Sequence, residues 1–316
     1  MMRRIAIGLL AMAALTCLAP AANLTQVDEI KTRKAPLYAA IHTPSGTVYI
    51  TCFADSDVVV MKEASRQADT KFYGGYEPVG IAVTPSGDKI FVTNRKGLVK
   101  VIDTQSHQIV DDIKVGGRPS NITMSPGGLI AFVTNFGRGK IGRIDFIDTS
   151  SHRIVGSRDV GIAPMAAAVS PLGDRLFVAC AGSNEIWVIN SNTREVIKQI
   201  PVGLKPNGLA FSKDGATLYV SNADTNDLSV IDVLDLRETR RVPVGEKPFS
   251  MTVDSQGRLF VVESGQGMLS LYSPELQRLA SVKAGKKPID VELSSDEQFA
   301  YVTDERANKV RVFKID

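Results

Sequence analysis

Seven prolines recur at near-constant spacing along this chain: Pro36, Pro78, Pro119, Pro164, Pro206, Pro248 and Pro288. The intervals are 42, 41, 45, 42, 42 and 40 residues. Glycine stands three residues ahead of six of them, at Gly75, Gly116, Gly161, Gly203, Gly245 and Gly285, while Pro36 has Arg33 there. A fixed period of this length requires a repeat architecture in which each unit packs on its neighbours.

Each unit reads as four short strands. After Pro78 come the runs Ile81–Val83, Ile90–Asn94, Leu98–Asp103 and Gln108–Val115. They are rich in Val, Ile, Phe and Thr, and Gly, Pro, Ser or Asp breaks the pattern every 8 to 12 residues. β-Branched and aromatic residues in short runs between such breakers argue for strands and against helices. Four strands in about 40–50 residues make a propeller blade. The expected fold is therefore all-β: a seven-bladed β-propeller with four antiparallel strands per blade.

The second strand of each unit carries a signature: Tyr49-Ile50-Thr51-Cys52, Phe91-Val92-Thr93-Asn94, Phe132-Val133-Thr134-Asn135, Phe177-Val178-Ala179-Cys180, Tyr219-Val220-Ser221-Asn222, Phe260-Val261-Val262-Glu263 and Tyr301-Val302-Thr303-Asp304. This resembles the YVTN family of β-propeller repeats, over nearly the whole chain. The resemblance implies the fold strongly and the function weakly, because one fold hosts many activities. Relatives of that family include bacterial surface-layer and periplasmic proteins. At greater distance the pattern is similar to lactonases and to the propeller subunits of quinoprotein amine dehydrogenases.

The two ends explain each other. The seventh unit stops after its third strand, Lys309–Ile315, and residues 24–32 have no other partner. The N-terminal segment is expected to pair as the outer strand of the last blade. Such closure protects sheet edges that would otherwise invite aggregation.

Ahead of it, Arg3 and Arg4 precede an apolar stretch from Ile5 to Leu18, followed by Ala19-Pro20-Ala21. That order reads as a secretory signal peptide over residues 1–22, cut after Ala21 or Ala22. A lipoprotein anchored at Cys17 is the alternative, although Leu15-Thr16-Cys17 places a bulky residue where lipobox-like motifs resemble Ala-Gly-Cys. The remaining 294 residues, 23–316, form one domain carrying 35 Lys and Arg against 34 Asp and Glu. This balance gives no support for a wholly basic nucleic-acid binder. The expected address is periplasmic or extracellular, with no transmembrane span and a monomeric chain.

Chemical signatures are few. Cys52 and Cys180 occupy the same strand position in blades on nearly opposite sides of the ring, too far apart for a disulfide, so both are expected to be free and buried. His107 and His152 recur at the turn between third and fourth strands, and His42 stands alone. No phosphate loop, Gly-x-Ser-x-Gly elbow or His-Glu-x-x-His motif occurs. Asp103, Asp148 and Asp232 repeat at the ends of third strands and read as turn formers, as do Asp55-Ser56-Asp57 and Asp224-Thr225-Asn226-Asp227. Gly46, Gly87, Gly128, Gly173, Gly215 and Gly257 follow the first strands. The seventh unit has Glu297 there, which predicts a strained or differently shaped turn. No catalytic residue, metal site or cofactor is expected.

Charge and topology together give the candidate site. Inter-blade connections and the loops between second and third strands emerge on one face. That face gathers Arg118, Lys205, Lys247 and Lys287 just before the repeat prolines, and Arg95, Lys96, Arg138, Lys140 and Arg306 from the loops. The lengthened loop of blade 3, Phe136 to Arg143, adds an aromatic residue. A rim of one sign focuses its field on an anion, although Asp55, Asp57, Glu77, Asp224, Asp227, Glu246 and Glu305 dilute it.

These observations favour an exported, non-catalytic binding or scaffold propeller that recognises a protein, an envelope polymer or another anionic ligand. One alternative is an enzyme or accessory propeller, lactonase-like or attached to quinoprotein oxidation. The other is single-stranded DNA binding, which needs aromatic stacking beside cations and has Phe136, Tyr76 and Phe249 to offer.

Overall fold

A computed structural model describes residues 23–136 and 141–316. The chain is a seven-bladed β-propeller with four antiparallel strands in every blade. Blade 1 comprises β2 (Pro36–His42), β3 (Thr47–Cys52), β4 (Asp57–Lys62) and β5 (Gln67–Tyr73). Blade 2 follows as β6 (Pro78–Val83) to β9 (Ile109–Lys114), and blade 3 as β10 (Pro119–Met124) to β13 (Arg153–Val160). Blades 4, 5 and 6 begin with β14 (Pro164–Val169), β18 (Pro206–Phe211) and β22 (Pro248–Val253). Blade 7 has β26 (Pro288–Leu293), β27 (Phe299–Asp304) and β28 (Lys309–Ile315), and its outer strand is β1 (Leu24–Lys31).

Each repeat proline opens an innermost strand. It lacks an N–H, so it costs least at the first residue of a strand. In all seven blades its register partner is the fourth residue of the Tyr-Val-Thr-Asn-like strand, from Pro36 opposite Cys52 to Pro288 opposite Asp304. The register then slips by a bulge in every innermost strand. A bulge bends the strand and re-aims its next groups, here toward the channel.

The fourth-position side chain explains five of the six repeat glycines; at Gly116 a Cβ would meet nothing, and a φ of 69° is what favours glycine. Glu263 accepts a hydrogen bond from Gly245 N–H at 2.8 Å. A Cβ on Gly245 would overlap that carboxylate, so only glycine fits. In blade 7, Asp304 accepts from Lys286 N–H and Lys287 N–H, each at 3.0 Å. Asn135 does the corresponding work in blade 3, accepting from Arg118 N–H at 2.9 Å and donating to the Gly116 carbonyl at 2.9 Å.

The core lies in the seams between blades. Second strands are buried almost end to end, β3 from Thr47 to Cys52 among them, while outermost strands such as β5 face solvent. One seam packs Phe260, Val262, Leu269 and Leu271 of blade 6 against Val291, Val302 and Phe313 of blade 7. Burying each such side chain contributes about 1.5–3 kcal/mol. Cys52 and Cys180 are free and fully buried, and burial pushes both thiols up to about 12. They pack as small apolar groups.

Turn assignments hold in detail. Asp148 Oδ1 accepts from Ser150 and Ser151 N–H, and these bonds hold its carboxyl down at about 2. His107 and His152 sit in left-handed turns; His107 stacks on Phe72 and His152 faces Asp111 at 3.2 Å. The turn at Glu297 keeps the common shape. Its N–H donates to the Ser294 carbonyl at 2.8 Å, as Gly87 does to Thr84 at 2.8 Å, so the glycine-free turn is met by a left-handed glutamate at φ 55°. The Glu297 carboxylate also accepts from Ser255 N–H of the preceding blade.

Closure follows the expected route. β1 pairs antiparallel with β28, from Leu24 opposite Ile315 to Lys31 opposite Lys309. Leu24 joins the seam of blades 6 and 7, and Ile30 joins the seam of blades 7 and 1. Glu29 is paired with Lys309 and Arg311. Deleting residues 23–31 should therefore lower Tm by about 10 °C, since two buried aliphatic side chains are worth about 4 kcal/mol and each kcal/mol moves Tm by about 2–4 °C. Differential scanning calorimetry of the truncated protein checks this, and an unchanged Tm would refute the closing role.

Candidate functional site at the mouth of the central channel

The residue before five of the seven repeat prolines is built into an unusual backbone; Arg118 and Lys287 are the exceptions. Ala35, Glu77, Ala163, Lys205 and Lys247 all have φ between 48° and 55°. Side chains rarely adopt this region, and a following proline normally favours extended backbone. Loop asparagines of the preceding blade hold several of them there. Asn184 Oδ1 accepts from Lys205 N–H, Asn226 Oδ1 from Lys247 N–H and Asn308 Oδ1 from Ala35 N–H, each at 2.9 Å. The clamping asparagines are themselves left-handed, a conformation that Asn tolerates better than most residues. These clamps escaped the sequence reading. An Asn immediately before the third strand, repeated at positions 184, 226 and 308, was the available signal.

The clamps fix the backbone of two cations, Lys205 and Lys247, at the channel mouth. Arg95 of blade 2, Lys205 of blade 5, Lys247 of blade 6 and Lys287 of blade 7 line one funnel of about 450 Å³ over the channel, together with Phe53 and Phe249. The Arg95 guanidinium lies 5.0 Å from the centre of the Phe53 ring. Lys205 is paired with Asp224 at 2.7 Å, and Lys287 with Glu305. Both lysines are well exposed, so these pairs are worth little and can be exchanged for a ligand anion. Among the described residues, neither Arg95 nor Lys247 has an ion-pair partner. Of the acids expected to dilute the rim, Asp55 and Asp57 face Arg33 at 3.2 and 3.0 Å and do not line the funnel, whereas Asp224 and Glu305 do.

The other candidates lie apart from this funnel. Lys96 sits over the Tyr76 ring at 4.5 Å. Arg118 and Arg306 are exposed, and Phe136 is half-buried with its N–H bonded to the Arg118 carbonyl at 3.1 Å. None of these four lines the funnel. Arg138 and Lys140 lie outside the described residues. Arg143, at the end of the same loop in sequence, belongs to the strand Gly142–Asp148 and pairs with buried Asp145 at 2.9 Å.

Below the mouth the channel narrows to a cavity of about 210 Å³ walled by innermost strands of all seven blades. Tyr38, Asn207 and Phe249 border both spaces, so mouth and cavity are adjacent. Two acids stand in its wall, Asp290 and Glu292 of β26. Asp290 accepts from Ala39 N–H at 2.9 Å and from the Ser250 hydroxyl at 2.6 Å. Burial nevertheless raises its pKa against those two donors. In contrast to the buried Asp290, Glu292 is half-buried where it lines the cavity. Burial first, and the charge of Asp290 second, push its pKa well above the ordinary value. Burial and Asp290 likewise raise the Tyr38 phenol.

Residues 185–294 match the family model described as SMP-30/Gluconolactonase/LRE-like region. The match runs from the third strand of blade 4 to the first of blade 7, and it includes Lys205, Lys247, Lys287, Asp290 and Glu292. No curated protein sequence matches the chain. Among solved structures, a chain of Kuenenia stuttgartiensis hydrazine synthase superposes with a TM-score of 0.81 at 22% identity, covering 89% of this chain and 96% of that one. This likeness is one of fold. In all, 1816 solved chains match, so the fold by itself does not select an activity.

The lactonase resemblance implies a metal in the channel, and the donors present do not fit one. Among the described residues no three His, Cys, Asp or Glu side chains converge. Asp290 already spends both oxygens on protein donors, and all three histidines stand in strands or turns away from the cavity wall. Among the described residues no helix is long and apolar enough to cross a membrane.

The raised carboxyl of Glu292 fixes the sign of a pH effect. A carboxyl whose folded pKa exceeds its unfolded value makes the folded state bind more protons, so stability falls as pH rises between the two values. Replacing Glu292 with Gln should raise Tm at pH 7–8, and the gain should be nearly gone at pH 4, just below the ordinary glutamate value of 4.5, where most unfolded chains also carry the proton. Calorimetry across that range checks it. A Tm gain that persists at pH 4 would mean that packing, not charge, is responsible.

Proposed function

We propose that this propeller is an exported binding module that captures an anionic segment of a protein or envelope polymer at its channel mouth. One observation carries the reading: four cations from four blades converge with Phe53 and Phe249 on a single concave funnel that holds two acids, Asp224 and Glu305, and so keeps an excess of positive charge; two of the cations, Arg95 and Lys247, have no ion-pair partner among the described residues. A concave rim with an excess of one sign concentrates counter-ions and steers their approach, and the aromatic rings offer apolar contact beside the charge. Export rests on residues 1–22, whose charged start, apolar middle and Ala-Pro-Ala ending fit a cleaved signal. Fractionation and N-terminal sequencing of the native protein should place it outside the cytoplasm with a first residue of Ala22 or Asn23. A start at lipid-modified Cys17 would make it a lipoprotein.

The binding test uses a fluorescein-labelled hexaglutamate followed by fluorescence anisotropy. Arg95→Glu and Lys247→Glu should each weaken binding about fivefold, the upper end for one exposed pair near 1 kcal/mol, and the loss should shrink at high salt. Arg118→Glu and Arg306→Glu, outside the funnel, should leave affinity unchanged. Equal losses from both sets would reduce the site to diffuse surface charge. Tighter binding of an oligothymidylate than of the peptide would reassign the mouth to single-stranded DNA.

A lactonase-like activity is the second reading, favoured by the match over residues 185–294. It would have Glu292 as its acid–base group, because a raised carboxyl in a narrow cavity suits general acid catalysis. Hydrolysis of a simple lactone by the purified protein, lost in Glu292→Gln, is the outcome that would install it.

A further inference from the structure

The cavity beneath the mouth carries charge that nothing in its wall balances. Of the residues lining it, only Tyr38, Asp290 and Glu292 titrate, and none is cationic. The innermost strands of blades 2 to 6 contribute apolar side chains, amides and hydroxyls alone. Asp290 is fixed by Ala39 N–H and the Ser250 hydroxyl. Glu292 follows two residues later on the same strand, with no hydrogen-bond or ion-pair partner for its carboxyl among the described residues. A half-buried carboxylate in a narrow cavity that holds a second acid and no cation is disfavoured as the bare anion, so the group either keeps a proton or takes a cation.

The wall discriminates between kinds of cation. Ca²⁺ takes six to eight oxygens, and Mg²⁺ keeps an octahedral shell. Here one free carboxyl stands beside a carboxylate whose oxygens are already used. The remaining surface includes the rings of Tyr38 and Phe249 and the side chains of Ile81 and Met251. Aromatic faces and apolar walls suit an organic cation, whose charge sits on an apolar body. The volume of about 210 Å³ equals about seven waters at 30 Å³ each, room for a short alkyl chain.

We propose that the channel cavity is a second binding site, which takes the protonated amino group of a small primary amine or of an amine-ended ligand on the Glu292 carboxylate. This goes beyond the anion capture proposed for the mouth and does not depend on it. The exchange balances simply. The ammonium enters with its three protons, Glu292 gives up its own proton to solvent, and an N–H donates to the carboxylate left behind. Charge-assisted bonds of this kind are the strong ones in low-dielectric surroundings.

The probe is butylammonium, with 1-butanol as the neutral control, titrated by calorimetry at pH 7 in two buffers of different ionisation enthalpy. The wild-type protein should bind butylammonium saturably and not 1-butanol, with an apparent heat that differs between buffers because a proton is released. Glu292→Gln keeps the cavity shape and removes the charge. It should weaken binding at least tenfold and abolish the buffer dependence, while a cooperative melting transition shows that it folds. Absence of saturable butylammonium binding by the wild-type protein, equal binding by Glu292→Gln, or binding of calcium in place of the amine would each overturn the proposal.

Discussion

The ring is held at constant diameter by hydroxyls that cross from one blade to the next. The third position of the Tyr-Val-Thr-Asn-like strand supplies three of them: Thr51 donates to the Val79 carbonyl at 2.7 Å, Ser221 to that of Phe249, and Thr303 to that of Leu37 at 2.7 Å. Ser120 adds a fourth, donating to the Pro164 carbonyl at 2.8 Å. All the acceptors lie at or just after a repeat proline, where the bulge frees a carbonyl from its own sheet. An unpaired buried carbonyl would cost about 1–3 kcal/mol, so the bulge and the hydroxyl stabilise each other. Thr303 matters most, because its bond joins residues that are 266 apart and locks the seam where the chain's two ends meet. Where Val262 lacks a hydroxyl, the Ser250–Asp290 bond spans the same seam. Structure and channel chemistry are thus coupled at blade 7: one acid that shapes the cavity also ties blades 6, 7 and 1 together.

The fold was open to view in the sequence because its determinants are local and repeat. A proline that begins a strand, a glycine that must clear a side chain, and a hairpin turn each leave the same mark about every 42 residues. The truncated seventh unit and the unclaimed segment 24–32 fit together by elimination, and the pairing of Leu24–Lys31 with Lys309–Ile315 bears this out. The mouth was legible only as a face. Which cations share one funnel depends on blade positions and on the asparagine clamps, and those rest on left-handed backbone that no residue type dictates.

The channel acids escaped for a different physical reason. Pro288-Ile289-Asp290-Val291-Glu292-Leu293 reads as an alternating strand with its polar face in water. An innermost propeller strand has no such face. Its alternate residues meet a neighbouring blade or the channel, so Asp290 and Glu292 stand in the cavity wall. A signal existed in the departure from the repeat. At two residues past the proline the other blades have Tyr38, Gly80, Asn121, Ala166, Gly208 and Ser250, and at four residues past it they have only alanine or threonine. Charge occurs at these positions in blade 7 alone.

Mouth and cavity together set up a gradient along one axis. Cations with apolar rings lie at the entrance, and uncompensated carboxyls lie beneath, along a single strand that carries Lys287 just before its start and Glu292 near its end. At about 3.3 Å per residue these two positions stand about 16 Å apart. A small free cation meets repulsion at the entrance before it meets attraction below, and a small anion meets the reverse. With the two sites proposed above, a molecule with an anionic group at one end and an amine at the other would contact both layers. Rigid placement strengthens this discrimination. The asparagine clamps fix the backbone of Lys205 and Lys247, and the Ala39 and Ser250 donors fix Asp290, so less conformational freedom is lost when a ligand spans both layers.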